Sequence, residues 1–199
     1  MPETRLSRFR QRKDEYFAKD EHSPLTSAQR EAFTGLVYFD ERPQLSLVLD
    51  LDESGEHAGE AISLGTTDGT VKPFVRAGTV RFAVEGSEVA FTVFREPDRG
   101  RFYLPFRDGT AGTETYPVGR YLDPQIRPDG RLVVDFNYAY NPYCAYGDGW
   151  SCPIPPRENI TPIRIEAGEK DFPHRAYGIV EHEYEQEHEH LHVHETTDS

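Results

Sequence analysis

Charged and hydroxyl side chains are concentrated between residues 107 and 121, in the segment RDGTAGTETYPVGRY. Arg107 and Arg120 each carry a guanidinium fork that can hold a carboxylate or phosphate through two hydrogen bonds. Glu114 could act as a general acid or base if its neighbours shift its pKa, and Tyr121 adds a ring with a polar tip. The alternative is structural, because Arg–Glu pairs often bridge strands and RDGTAG is a natural hairpin turn. The residue types alone leave both interpretations open.

A second concentration runs from Tyr140 to Asn159 and holds both cysteines, the single tryptophan and four of the fifteen prolines. Proline restricts φ and removes backbone donors, while tyrosine and tryptophan combine a broad apolar face with a polar tip. We therefore expect a stiff, aromatic loop that follows the strand LVVDFNYAY and caps the open end of a β domain. The loop either fills that end as a plug or encloses a pocket, with Tyr140, Asn141 and Tyr146 available to a ligand.

Seven residues separate Cys144 from Cys152. That gap is wider than is typical of zinc ligands or of thioredoxin-like motifs. A nucleophilic cysteine would need a base, for which the sequence offers His22, His57 and His174. Because we expect a reducing compartment, two buried thiols are the favoured interpretation. A disulfide or redox pair is the main alternative, and a nucleophile or metal ligand is the third.

The C-terminal segment is rich in histidine and glutamate. Imidazole and carboxylate together suit zinc, nickel or copper, so weak binding of a divalent metal by the tail is one hypothesis. The alternative is a solvated acidic tail without a metal. The candidate ligands are His188, His190, His192 and His194.

The elements that must position these groups can be predicted from periodicity. Residues 1–34 show helical spacing, and Thr26 with Gln29 forms a capping-box pattern. Residues 35–172 contain short apolar runs at intervals of roughly ten residues, including a hairpin in AGTVRFAVEGSEVAFTVF, another around RPDG, and a last strand in ITPIRIEAGE. We therefore predict an antiparallel β-sandwich or barrel-like domain after an N-terminal helical segment. Residues 173–199 have little apolar surface, and we expect an acidic, partly disordered tail there.

Composition narrows the functional classes. The formal charge is −13 and the pI about 5.0, which argues against nucleic-acid binding. The sequence has no apolar run long enough for a transmembrane helix and no signal-peptide pattern at its start. It also lacks a nucleotide or flavin fingerprint. We therefore expect a cytoplasmic, soluble protein with no membrane partner, and the sequence does not indicate its oligomeric state or a cofactor.

Two blocks of the sequence resemble the domain of unknown function 1684 family. The blocks are DFNYAYNPYCAY with SCPIPPREN, and LPFRDGTAGTETYPVGRYLD, and the segments RKDEYF, SPL and IRIEAGEK are similar to further family positions. The resemblance covers roughly residues 10 to 170 and departs at Gly147 and Trp150. It implies no activity, but it groups the segment at 107–121 with a further set of polar residues: Asp135, Asn137, Tyr140, Asn141 and Glu158.

Two functions are consistent with these observations. In the first, a polar and aromatic pocket at one end of the β domain binds a small metabolite, with an anionic group held by arginine and carboxylate catalysis as an option. In the second, the domain is a non-catalytic interaction or structural module with a metal-binding tail. The predicted ligand-binding residues are Arg107, Arg120, Tyr121, Asn137, Tyr140, Asn141 and Tyr146, and the predicted acid–base residues are Glu114 and Glu158.

Overall fold

The computed structural model of the chain describes residues 3–55 and 57–173. The four histidines predicted to hold a metal lie outside the described residues, as does nearly all of the predicted tail. The helices are α1 Arg5–Lys19 and α2 Ser27–Ala32. The strands are β1 Ser46–Leu49, β2 Ala61–Gly65, β3 Val71–Val84, β4 Ser87–Arg95, β5 Phe102–Phe106, β6 Arg120–Leu122, β7 Gln125–Ile126 and β8 Leu132–Asp135. Short 3₁₀ turns occur at Pro43–Leu45, Phe136–Tyr138, Tyr143–Ala145 and Arg157–Asn159.

The strands form two antiparallel sheets. The larger sheet has the order β2-β3-β4-β5-β6, and the smaller has the order β1-β8-β7. The predicted class, mainly antiparallel β with an N-terminal helical segment, is confirmed. In the part of the chain that the structure describes, no helix is both long and apolar enough to cross a bilayer.

The β3–β4 hairpin follows the predicted alternation, and Val80 pairs with Phe91 at its centre. Its turn places Glu85 at φ 50° and Gly86 at φ 84°, the left-handed pair that a tight two-residue hairpin requires. The predicted capping box is also present, because the Thr26 side chain accepts from the Gln29 amide while the Gln29 side chain accepts from the Thr26 amide.

The main core lies between the two sheets. It is built from alternate residues of the strands, so the intervening residues point to the opposite, outer face of the larger sheet. That outer face carries a separate apolar cluster of Leu64, Phe74, Phe94, Tyr103 and Tyr121. A third cluster forms under α1, around Phe17 and Tyr146. The larger sheet is therefore covered on both faces, although on the outer face the cover is a loop.

The predicted last strand, in ITPIRIEAGE, is wrong for the described structure. The segment enters the core, where Ile165 is fully buried, but its hydrogen bonds go to side chains and to separate backbone groups of other segments, and it forms no continuous ladder with a strand. The Ile165 amide donates to Asp108 at 2.7 Å, and the carbonyls of Ile165, Ala167 and Glu169 accept from the Arg120 guanidinium. Because these backbone groups already have partners, the segment needs no neighbouring strand.

Candidate functional site: an aromatic cleft

A cleft of about 460 Å³ lies between the outer face of the larger sheet and the proline-rich stretch that follows Tyr140. Its aromatic lining consists of Phe74, Tyr103, Tyr121, Tyr140, Tyr143 and Trp150, and its polar lining includes Lys72, Glu96, Asn141 and Ser151. We call this space the aromatic cleft. From the sequence we expected the stretch to cap an end of the domain, whereas in the structure it packs across a face of the sheet.

The strands set the aromatic wall. Phe74 on β3 and Tyr103 on β5 stack with ring centroids 5.0 Å apart and an interplanar angle of 12°. Tyr121 on β6 meets the Tyr103 ring edge-on at 5.1 Å, and its hydroxyl donates to the Pro153 carbonyl. The wall is thus tied to the loop opposite, and ring contacts of this kind hold side chains in fixed orientations.

The opposing loop is held by a covalent bond and by hydrogen bonds to the β2–β3 turn. Cys144 and Cys152 form a disulfide with their Cα atoms 6.4 Å apart. The Thr67 amide donates to the Cys152 carbonyl at 3.0 Å, and the Thr67 hydroxyl donates to the Trp150 carbonyl at 3.1 Å. The expectation of two free thiols is wrong for this structure, because the loop brings both cysteines within the Cα separation that a disulfide spans.

Buried polar atoms in the cleft lack hydrogen-bond partners among the described residues. They are the Asn141 Oδ1, the Tyr103 hydroxyl and the Glu96 Oε2. Asn141 is 2% exposed, and its Nδ2 donates to the Lys170 carbonyl at 2.8 Å, which fixes the amide so that the oxygen is left over. Most buried polar atoms in folded proteins are paired, so each exception calls for an explanation.

The Tyr103 hydroxyl is less clearly unpaired than the other two atoms. It lies near the Tyr121 hydroxyl, although the two do not form a well-aligned hydrogen bond. Burial raises the pKa of Tyr103 well above its usual value, and the neighbouring Tyr121 raises it further. The ring therefore stays neutral at physiological pH and offers a hydroxyl, not a phenolate.

Behind the cleft, Asn141 is positioned by a buried carboxylate. The side chain of Glu169 is 1% exposed and accepts from the backbone N–H of Asn141 at 2.8 Å and from the Tyr146 hydroxyl at 2.7 Å. Lys13 forms an ion pair with it. The pKa of Tyr146 is raised well above its usual value, first by burial and then by the adjacent Glu169. Every charge here has a close partner, as a buried ion pair requires.

Arg120 is part of the same interior and does not line the cleft. Its side chain is fully buried, and its two terminal nitrogens contact the Asp108 carboxylate at 3.1 Å and three backbone carbonyls. Burial lowers the pKa of Arg120, and the Asp108 charge opposes that shift. The two terminal nitrogens are therefore engaged by the protein itself, while the Nε has no partner among the described residues.

The predicted acid–base residues lie apart from the cleft and from each other. Glu114 pairs with Arg164 and lies 3.5 Å from the Lys170 ammonium. Glu158 accepts from Arg76 at 2.6 Å. Both carboxylates are partly exposed and already face a cation, so the structure does not bring them to a common centre.

The remaining predicted residues divide between structural and exposed positions. Asn137 is buried and exchanges two hydrogen bonds with the Arg42 backbone, at 2.7 and 2.9 Å. Arg107 is exposed, and its backbone pairs with residues 159 and 161. Of the predicted ligand-binding residues, only Tyr121, Tyr140 and Asn141 line the aromatic cleft.

Sequence reasoning missed Lys13, Glu96 and Glu169 as candidates. The signal for Glu169 was an acidic residue in the IRIEAGEK segment, but its buried partners come from positions more than twenty residues away in sequence. No group of three or more metal-ligating side chains occurs within residues 3–55 and 57–173.

Comparison with models of known protein families identifies the family of this chain. Residues 31–170 match the model of the family described as protein of unknown function (DUF1684). The chain belongs to this family. In this DUF1684 protein, the region that matches the family begins at the end of α2 and ends just after the segment whose carbonyls accept from Arg120.

A solved structure shares this fold. It is the solution NMR structure of an uncharacterised protein of Haloarcula marismortui, which is 33% identical, with a TM-score of 0.64. The match covers 84% of this chain and 93% of the other. A comparison with curated proteins finds no match.

In this DUF1684 protein, four segments meet behind the cleft, and three of them lie within the residues that match the family. RKDEYF contributes Lys13, GRYL contributes Arg120, NPYCAY contributes Asn141 and Tyr146, and IRIEAGEK contributes Glu169. Arg120 donates to the Glu169 carbonyl while the other three contact the Glu169 carboxylate. These segments thus form one hydrogen-bonded network around Glu169. Asn141 belongs to this network and also lines the cleft.

Proposed function

We propose that the protein binds a small molecule in the aromatic cleft. The observation that carries the proposal is that a preformed aromatic wall lies beside buried hydrogen-bonding atoms that the described protein does not satisfy. A convergence of apolar surface with a few unpaired polar groups is the usual design of a ligand site. The volume of about 460 Å³ falls in the ordinary range for such sites.

The energetic argument concerns the unpaired oxygens. A buried polar atom without a partner costs about 1–3 kcal/mol. A ligand that donates to the Asn141 oxygen and the Glu96 carboxylate would recover that cost, and it would also cover the rings of Tyr103 and Tyr140. Since the network behind the cleft holds Asn141 in place, little rearrangement would be needed on binding.

The proposal is for binding without turnover. The tyrosines of the cleft have raised pKa values, for Tyr140 because of burial and then the nearby Asp123, so they are poorly suited to proton transfer near neutral pH. Acid–base catalysis by Glu114 and Glu158 stays a prediction from the sequence. The expected anionic ligand depended on Arg107 and Arg120, and neither lines the cleft.

Binding in the cleft can be followed through a single residue, Trp150. Trp150 is the only tryptophan of the chain and is 38% exposed at the cleft, so its indole N–H gives one identifiable NMR peak. A library of neutral, cationic and anionic aromatic fragments would be titrated into the full-length, nitrogen-15-labelled protein. We expect a subset of the fragments to shift the Trp150 peak saturably.

A matched pair of variants separates cleft binding from general binding. Ser151→Phe introduces a ring at the cleft and should abolish the shifts. Ser87→Phe makes the same change at the exposed start of β4 and should leave them intact. The proposal is wrong if no fragment shifts the Trp150 peak saturably, or if Ser151→Phe binds the hits as tightly as the unmodified protein does.

A further inference from the structure

We infer that the ligand of the aromatic cleft is a small organic amine, bound as its ammonium form with an apolar body against the rings. The inference depends on the proposed function and specifies the chemical class that the cleft would accept. It follows from the polarity of the unpaired atoms, from the rings and from the charges around them.

The unpaired atoms that carry the argument are acceptors. The Asn141 Nδ2 already donates to the Lys170 carbonyl, and Oδ1 is the side-chain atom of Asn141 that has no partner among the described residues. A carboxylate oxygen such as Glu96 Oε2 accepts hydrogen bonds without donating. An ammonium group has three donors and no acceptor. It therefore complements this pair of atoms, whereas a carboxylate or phosphate ligand would place acceptor against acceptor.

The rings favour the same charge. A cation over the face of tyrosine or tryptophan is attracted by the ring quadrupole, and Tyr140 and Trp150 line the same cleft as Asn141 and Glu96. The Tyr140 hydroxyl donates to the Asp123 carboxylate at 3.1 Å, which polarises the ring toward greater electron density. The protein already uses this ring for a cation, since the Lys13 ammonium lies 5.2 Å from its centroid.

The cations near the cleft are already engaged. Lys13 is neutralised by the buried Glu169, and the ammonium of the exposed Lys72 donates to the Ser151 carbonyl. Glu96, in contrast, has an oxygen without a partner among the described residues. The lining thus contains one ammonium, on Lys72, that already donates to a carbonyl, and one carboxylate, on Glu96, whose Oε2 has no partner among the described residues. The formal charge of the whole chain is −13.

The test uses three probes with a phenyl ring and a short chain that differ in the terminal group: phenethylamine, phenethyl alcohol and hydrocinnamate. Binding would be followed by the Trp150 indole peak in the full-length protein. We expect phenethylamine to bind at least about ten-fold more tightly than the alcohol, a difference of about 1.4 kcal/mol, and the acid to bind least. Raising the salt concentration should weaken the amine and leave the alcohol unchanged.

The charge of Glu96 is tested by Glu96→Gln, which keeps the shape of the side chain. We expect this variant to reduce the preference for the amine over the alcohol to within about two-fold, because the attraction between the carboxylate and the ammonium supplies most of that difference. Glu88→Gln, at an exposed position on β4, the strand that ends just before Glu96, should retain the full preference.

The outcomes distinguish the inference from the proposed function. If the alcohol or the acid shifts the Trp150 peak at least as tightly as the amine, or if Glu96→Gln keeps the full preference, the inference is overturned while binding in the cleft stands. If neither these probes nor the fragment library shifts the Trp150 peak, both the inference and the proposed function fall.

Discussion

The two polar regions of this protein differ in how completely their hydrogen bonds are satisfied. Around Glu169 and Arg120, buried charges are matched by opposite charges, hydroxyls and carbonyls. A few residues away, at the cleft, the Asn141 and Glu96 oxygens have no partner among the described residues. The comparison teaches that charge and burial alone do not mark a binding site. In the matched region Glu169 and Arg120 each have a partner of opposite charge, although the Arg120 Nε is unpaired among the described residues. In the cleft, the Glu96 carboxylate has no such partner among the described residues.

The largest expected effect comes from removing a charge of the matched region. Arg120→Met should reduce the free energy of unfolding by about 3–5 kcal/mol, because it leaves the buried Asp108 carboxylate without its cationic partner and removes a donor from three buried carbonyls. Chemical denaturation measures this loss. Arg127→Met, which breaks an exposed pair with Asp129, should change stability by less than about 1 kcal/mol. Equal losses for the two variants would mean that the buried network contributes no more to stability than an exposed ion pair does.

The cleft depends on a covalent link where the interior depends on charges. Replacing both Cys144 and Cys152 by serine should lower the free energy of unfolding by about 2–3 kcal/mol, the entropy that a loop of this length gains when it is opened. The Trp150 indole peak should broaden or move at the same time, because Trp150 lies inside the closed loop. A variant with an unchanged Trp150 peak would show that the hydrogen bonds of Thr67 hold the cleft without the disulfide.

The sharpest test makes the same chemical change in both regions. Tyr146→Phe removes a hydroxyl that donates to the Glu169 carboxylate and should cost about 1.5–3 kcal/mol of stability, as expected for a hydrogen bond to a charged group. Tyr103→Phe removes a hydroxyl with no well-formed hydrogen bond and should cost less than about 0.5 kcal/mol. Urea unfolding of the two variants gives both values. If Tyr103→Phe cost as much as Tyr146→Phe, the two regions would not differ as described.

The smallest effect concerns Asp14, at the edge of the matched region. Burial raises the pKa of this carboxyl, against the opposing hydrogen bond from the Leu36 amide. The folded state therefore binds a proton more tightly than the unfolded state, so this group's contribution to stability falls as pH rises from near 4 through the raised pKa. Asp14→Asn, whose side-chain oxygen can still accept from Leu36, should gain stability relative to the unmodified protein over that pH interval. Thermal unfolding at pH 4 and pH 7 checks the direction, and a pH-independent difference would contradict it.

Local patterns predicted the parts of the fold that are local. Alternation from Val80 to Val93 gave the β3–β4 hairpin, because a strand with one face toward the core must repeat every two residues. The Thr26–Gln29 spacing gave the start of α2. The segment from Ile163 to Glu169 alternates too, and there the prediction of a strand was wrong. Its hydrogen-bond partners are the Asp108 and Arg120 side chains and separate backbone groups of Phe39, Gly109 and Ala139, an arrangement that periodicity does not encode.

The candidate site was predicted in part. The concentration of aromatic residues after Tyr140 pointed to the correct wall of the cleft, and Tyr121 and Asn141 line it. The opposite wall, with Phe74, Tyr103 and Glu96, comes from strands whose outer face the sequence does not distinguish from a solvent-facing one. Arginine and glutamate at 107–121 suggested ligand chemistry from type alone, although whether such a group is free depends on its neighbours in space.

The sequence by itself determined the antiparallel β class, the helical start and the residue types of the loop from Tyr140 to Asn159, because hydrophobic period and backbone-restricting residues act over a few positions. Only the tertiary structure decided which polar groups are satisfied. Arg120 and Asn141 are both buried polar residues from family-like segments, yet the terminal nitrogens of one are fully engaged and the other keeps an unpaired oxygen. Hydrogen bonding acts over about 3 Å, and only the folded chain brings distant residues that close together.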